Sequence, residues 1–164
     1  MDNNIKIRKA ISSDLDQIVS VLLDFYNMDN SNEAKHALES ELTKDYNYIV
    51  ALEKNKIIGL VTWIMHGLPK HGLFELDRIC VISGSRGRGI GKKLVKWLID
   101  DAKKWYKDRG AHIRKLYILT HEENLVAQNF YQNIGFDHET TLKDHYYSGK
   151  NERVYSLFFN DLIH

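Results

Sequence analysis

Two carboxylates and a run of glycines are the residues of this 164-residue chain best suited to chemistry. Glu75 and Asp77 stand two apart in Leu73 to Val81, a stretch with strand-like patterning, so both side chains leave the same face. Such a pair attracts a cationic amine, and one member can take a proton from it. Five residues beyond Val81 the chain reads Arg86-Gly87-Arg88-Gly89-Ile90-Gly91-Lys92 and passes into a helical pattern. Alternating glycines at a helix start expose backbone N–H groups, and the helix dipole adds roughly half a positive charge there. Bare amides, a dipole and small side chains together make a cradle for pyrophosphate. The competing readings are bland: a glycine-rich surface turn with solvated arginines, and a solvated strand face neutralised by Arg78 or a nearby lysine.

The loop fits neither of two common phosphate motifs. A P-loop needs a Ser or Thr after its lysine, but Lys92 is followed by Lys93, and Gly87 lies one residue too close to Gly91. The dinucleotide fingerprint fails because Gly87, Gly89 and Gly91 are spaced two and two, and the preceding strand sits in mid-chain.

Around these residues the periodicity predicts an even series of elements. Ile5 to Arg8 alternates as a first strand, and Ser12-Ser13-Asp14 caps a helix carrying Leu15, Ile18, Val19, Leu22, Leu23 and Phe25-Tyr26. A more polar helix covers Asn32 to Leu42. Tyr48 to Leu52 and Ile57 to Ile64 flank Glu53-Lys54-Asn55-Lys56 as a hairpin. After the strand Leu73 to Val81 come a long helix from Gly89 to about Tyr106, a strand Leu116 to Leu119 and a helix Leu125 to Asn133. Strands near Phe136 to Leu142 and Arg153 to Phe159 close the series. No linker, repeat or low-complexity tract interrupts it, so residues 1–164 read as a single domain.

Composition narrows the classes. Lys plus Arg number 23 against 22 Asp plus Glu, which gives no electrostatic case for nucleic acid or an anionic membrane. The single cysteine, Cys80, excludes an internal disulfide and fits a reducing cytosol. The start Met1-Asp2-Asn3-Asn4 is polar, and no apolar run approaches the ~18 residues of a membrane span. A cytoplasmic globular protein is the expectation. The eight histidines show no ligand spacing, with His66 and His71 expected in a loop and His121 without a partner motif, so no metal is expected.

What remains after these exclusions, Arg86-x-x-Gly89-x-Gly91 after a strand, resembles the acetyl-CoA loop of the GNAT superfamily of N-acetyltransferases. A separate match lies downstream, where Asn124, Ala127, Phe130-Tyr131 and Gly135-Phe136 resemble the family's second signature. The element order agrees over nearly the whole chain. The resemblance implies an α/β (α+β) fold: one mixed central sheet of about seven strands, helices on both faces, and a splay between strands 4 and 5. It implies acetyl-CoA as co-substrate, with no metal, and direct attack by an amine. The loop from Arg86 to Lys92 would hold the pyrophosphate. The backbone of Ile79-Cys80-Val81 would pair with the pantetheine amides, and Asn124 would face the same arm. Tyr131 would protonate the departing thiolate. Glu75, six residues before Val81, stands where the histone-acetyltransferase branch has its base; Asp77, four before, stands where diamine acetyltransferases have theirs.

Departures from the family are informative. Ile82-Ser83-Gly84-Ser85 lacks the frequent proline after the fourth strand, which alters loop stiffness more than chemistry. Ribosomal-protein N-terminal acetyltransferases have a Glu five residues before the Asn, and here that residue is Leu119. Cys80 invites a nucleophile role, but an interior strand cysteine without a neighbouring His is expected only to pack. Asp144-His145-Tyr146-Tyr147, expected between the last two strands, could hold a peptide or cover the sheet end. Glu122, Glu123 and Asp24 could line an amine site or be solvated. The acceptor is thus a small amine, a polyamine or a peptide amine, with room for a homodimer; the alternative is a non-catalytic acyl-CoA-binding or regulatory protein.

Overall fold

The computed structural model describes residues 4–25 and 30–159, so the expectations for Met1–Asn3 and Tyr26 lie outside the described residues. Seven strands and four helices follow one another as β1 (Lys6–Lys9), α1 (Leu15–Phe25), α2 (Ser31–Leu42), β2 (Asn47–Glu53), β3 (Lys56–His66), β4 (Leu73–Val81), α3 (Ile90–Lys107), β5 (Lys115–His121), α4 (Leu125–Asn133), β6 (Asp137–Tyr147) and β7 (Lys150–Phe158). The strands form a mixed sheet in the order β1-β2-β3-β4-β5-β7-β6. The parallel pairing of β4 with β5 joins Leu73 to Lys115 and Glu75 to Tyr117, at the N-terminal end of β4, which fits the expected splay. Among the described residues no helix is long and apolar enough to cross a membrane.

Two compact units divide the chain: Met1–Ile64 with Arg78–Asp101, and Met65–Asp77 with Ala102–His164. In the first unit, α1 buries Ile18, Val19, Val21 and Leu22, and α2 buries Ala34 and Leu38, against Tyr48, Val50 and Leu52 of β2, Leu60 of β3 and Cys80 of β4. Asp14 fixes the entry to α1: its carboxylate accepts from the Ile11 N–H at 2.9 Å and from the Arg8 guanidinium at 2.6 and 3.0 Å. That bidentate pair holds the Asp14 carboxyl below the ordinary carboxylate range. The β2–β3 hairpin turns on Lys54 and Asn55, both at positive φ (49° and 63°), the backbone of a two-residue primed turn.

The second unit is aromatic. Phe74 of β4 lies 5.9 Å from Tyr106 and 6.1 Å from Phe159, ring centre to ring centre, and Tyr131 of α4 lies 5.7 Å from Phe136. The Tyr106 hydroxyl, buried with its ring, donates to the Leu73 carbonyl at 2.6 Å. Gly72 sets the start of β4. Its φ is +58°, and a Cβ there would stand 2.3 Å from the His112 carbonyl oxygen, so only glycine fits. Its own carbonyl accepts from the amides of Arg114 and Lys115 at 2.8 and 3.0 Å. This close approach fixes the β4–β5 register and thereby sets Glu75 opposite Tyr117.

Candidate active site

The glycine loop belongs to the first unit. Beyond Val81, the Ile82 amide donates to the Ile58 carbonyl at 3.0 Å, and Ser83–Ser85 make one 3-10 turn. Gly87 and Gly89 both take left-handed backbone, with φ of 74° and 73°. A Cβ at either would meet no atom within 4 Å, so the space in front of the loop is open. Lys93 donates to the Gly89 carbonyl at 3.1 Å as α3 begins, which leaves the preceding amides outside the helical ladder. Ile90 is buried and anchors the first turn. The two arginines are exposed, as the bland reading has them, but each also has a partner within the protein. Arg86 Nε donates to the Val81 carbonyl at 2.9 Å, with its guanidinium 5.4 Å from the Phe25 ring centre. Arg88 pairs with Glu53 at 2.7 Å. Both side chains are thereby anchored to the protein while staying exposed, and beside them the loop presents its backbone amides. An anionic group as large as pyrophosphate fits such a surface in charge and in space.

Glu75 lies in the second unit, inside a cluster that pattern reading did not assemble. His66 Nε2 is 2.6 Å from Glu75 Oε2, and the Tyr117 hydroxyl donates to the same oxygen at 3.1 Å. The His66 and Tyr117 ring centres are 5.6 Å apart. Burial, the Glu75 charge and hydrogen bond, and the nearby Tyr146 and Asp77 all push the Tyr117 phenol well above its ordinary value. Tyr146 is raised in the same direction by burial and then by Glu75, Asp77 and Glu152. Glu75, Asp77, Tyr117 and Tyr146 thus share one electrostatic neighbourhood. Arg78 goes elsewhere: it pairs with Glu41 of α2 at 2.8 Å, and the Tyr48 hydroxyl donates to that same carboxylate.

The third group surrounds the start of α4. Asn124 caps the helix, its Oδ1 accepting from the Ala127 amide at 3.1 Å. With His121, Glu123, Tyr147 and Lys150 it lines an open cleft of about 430 Å³. Tyr131, two turns along, is buried at 3 % exposure among Phe130, Phe136 and Tyr155. Glu122 accepts from Asn151 at 3.0 Å, and Glu123 pairs with Lys150 at 3.0 Å, so both are tied to the chain around β7. Asp24 is exposed on α1.

Several expectations need correction. Asp144 to Tyr147 do not lie between the last two strands; β6 runs through them to Tyr147, and the turn to β7 is only Ser148-Gly149. His66 is the last residue of β3 rather than part of a loop, and His71 ends a 3-10 turn. His121 has a partner after all, because its Nδ1 meets the buried carboxylate of Glu152. The β5–β7 register puts these two directly opposite each other. The signal for His66 was the short return from Gly67 to Gly72, which brings the end of β3 back beside the start of β4. Cys80 is buried, and burial above all pushes its thiol up to about 12, far from thiolate formation at neutral pH.

Residues 15–136 match the Acetyltransferase (GNAT) family. The chain belongs to that family. It is 33% identical over 84 residues to a spermine/spermidine N(1)-acetyltransferase of Bacillus subtilis, covering 47% of this chain and 52% of that protein. It is 29% identical over 148 residues to an uncharacterized N-acetyltransferase of Methanocaldococcus jannaschii, covering 84% and 62% respectively. The chain therefore spans only about half to three fifths of the length of these curated relatives. Among solved structures, a GNAT-family acetyltransferase from Desulfovibrio desulfuricans superposes with a TM-score of 0.75 at 20% identity, over 94% of this chain and 98% of that one. An aminoglycoside 6'-N-acetyltransferase complexed with coenzyme A gives 0.75 at 16% identity, over 93% and 96%. At those identities the likeness is one of fold.

Proposed function

We propose that this chain transfers the acetyl group of acetyl-CoA to a primary amine by direct attack. The observation that carries the reading is the loop from Arg86 to Lys92, whose two left-handed glycines face open space while its arginines are engaged by Val81 and Glu53. Its amides would hold the pyrophosphate. The backbone of Ile79, Cys80 and Val81 would pair with the pantetheine amides, and Asn124 would face the same arm. Acetyl-CoA supplies an activated acyl thioester, so the chain needs no nucleophile of its own, in keeping with the protonated, buried Cys80.

The protein's task is then to manage protons. A primary amine at neutral pH is mostly ammonium and cannot attack until it loses one. Glu75 would take that proton, directly or through a water, and Asp77 on the same strand face would hold the ammonium by charge. Tyr131 would donate to the sulfur as it leaves. A polyamine acceptor is supported by the Bacillus subtilis relative named for spermine and spermidine, although that match covers only 47% of this chain.

A thiol-release assay with acetyl-CoA and a panel of spermidine, a short alkyl amine and a free peptide N-terminus tests the reading. Thiol release with at least one amine class is expected, with spermidine highest. Glu75→Gln should slow it by about 10²-fold at neutral pH, and progressively less as pH rises and free amine accumulates. Acetyl-CoA binding without turnover of any amine would make the chain a binder rather than an enzyme.

A further inference from the structure

Glu75 receives two hydrogen bonds, both directed at a single oxygen. Its side chain is 15% exposed, and Oε2 lies 2.6 Å from His66 Nε2 and 3.1 Å from the Tyr117 hydroxyl. A carboxylate only accepts, so an ionised Glu75 calls for the His66 tautomer that carries its proton on Nε2. Tyr117 is the second donor, its phenol held in the protonated form by burial and by the Glu75 charge. A carboxylate oxygen has about two lone-pair sites, and two donors fill them. The remaining oxygen, Oε1, is then the one left for a proton.

From this geometry we infer that His66 and Tyr117 are positioning residues for acetyl transfer: they clamp Glu75 through Oε2 and present Oε1 to the incoming amine or its bridging water. The inference rests on the reading of Glu75 as base. The clamp draws on three strands, with His66 at the end of β3, Glu75 on β4 and Tyr117 on β5. A side chain with three rotatable bonds is thereby reduced to one orientation before substrate arrives. Pre-organisation of that kind contributes to rate rather than to affinity. His66 never touches the reacting atoms, so its influence must pass through Glu75.

That last point supplies the test, in single variants and in the Glu75→Gln background, with turnover read from thiol release with spermidine and with a free peptide N-terminus. His66→Ala should lower kcat by about 10-fold and leave the KM for acetyl-CoA unchanged, the pattern of a lost transition-state interaction. His66→Gln, which keeps an N–H donor of similar reach, should recover most of that loss. Tyr117→Phe should cost about 3-fold, as a longer and weaker bond. Added to Glu75→Gln, His66→Ala should change kcat by less than about 2-fold, because coupled residues are not additive. If His66→Ala costs the same with and without Glu75, the histidine is merely structural and the inference falls while the base assignment stands. If Glu75→Gln alone leaves the rate and its pH profile unchanged, the base assignment falls and the inference with it. One measurement needs neither substrate nor variant: nitrogen NMR of the wild-type imidazole should find Nε2 protonated, and an unprotonated Nε2 overturns the clamp.

Discussion

Between Val81 and Lys93 the turn itself is shaped by contacts that span five residues or fewer, while Ile58, Glu53 and Phe25 hold its flanks. Arg86 Nε meets the Val81 carbonyl, Ser85 donates to Ile82, and Lys93 donates to Gly89. Glu75 is held by residues nine and forty-two positions away. The left-handed turn is therefore written largely in its own sequence. Substitutions at its distant flanking partners should weaken it less than a single wrong side chain at Gly87 or Gly89. The Glu75 cluster has the opposite character. Each member is an ordinary residue, and only strand register makes them a unit, so its function should degrade by degrees as partners are removed.

The largest expected effect breaks the loop. Gly89→Val forces a β-branched residue into left-handed backbone and sends its side chain into the open space where a phosphate would approach. The stabilisation that acetyl-CoA gives in a thermal melt should vanish, while the unliganded melt falls by several degrees, the left-handed backbone straining the valine although its Cβ meets nothing within 4 Å. An undiminished acetyl-CoA shift in this variant would mean the loop is not the pyrophosphate site, and its local character would then concern folding alone.

A smaller effect probes α4, outside both regions. Tyr131 is buried among Phe130, Phe136 and Tyr155, a setting equally suited to an aromatic core. Tyr131→Phe retains the ring and removes the phenolic proton, so packing and catalysis separate. A fall in kcat of about 10²-fold with unchanged acetyl-CoA affinity is expected if the phenol protonates the leaving sulfur. Unchanged turnover, with chemistry limiting the rate, would assign Tyr131 to the core and leave the thiolate to find its proton elsewhere.

The same contrast explains what sequence reading could reach. Element order and type were legible because periodicity is local: the buried face of α3 repeats as Leu94, Val95, Leu98, Ala102 and Tyr106, and polar Lys54-Asn55 separate two apolar runs, with Asn55 of a type that tolerates left-handed backbone. The loop was legible for the same reason. The length of β6 was not, since Asp144 to Tyr147 carry polar residues on an exposed strand whose pairing with β7 is irregular between Leu142 and Tyr147. Nor was the pairing of His66 with Glu75 or of His121 with Glu152, for each depends on which residues a register sets side by side. Arg78, adjacent to Asp77 in sequence, reaches across to Glu41 instead, because successive residues of a strand face opposite ways.

Cys80 gives the smallest expected effect and the sharpest check on direct transfer. It lies in β4 between the carboxylates and the loop, at the point in the sequence where an acyl-enzyme nucleophile would be most convenient. The structure argues against that role twice over: the side chain is 2 % exposed, and its thiol is pushed up to about 12 by burial, so at neutral pH almost none of it is thiolate. Cys80→Ala should leave kcat within about twofold of wild type, because no covalent bond to sulfur is made in direct attack. Stability should fall by about 1 kcal/mol, the order expected for deleting one buried heavy atom from a packed core. Iodoacetamide at neutral pH should label the native wild-type chain slowly and the denatured chain fast. A burst of acylated protein on mixing with acetyl-CoA, absent from Cys80→Ala and accompanied by a hundredfold loss of turnover, would replace direct transfer with a two-step route through Cys80. In that case Glu75 would serve the second step alone.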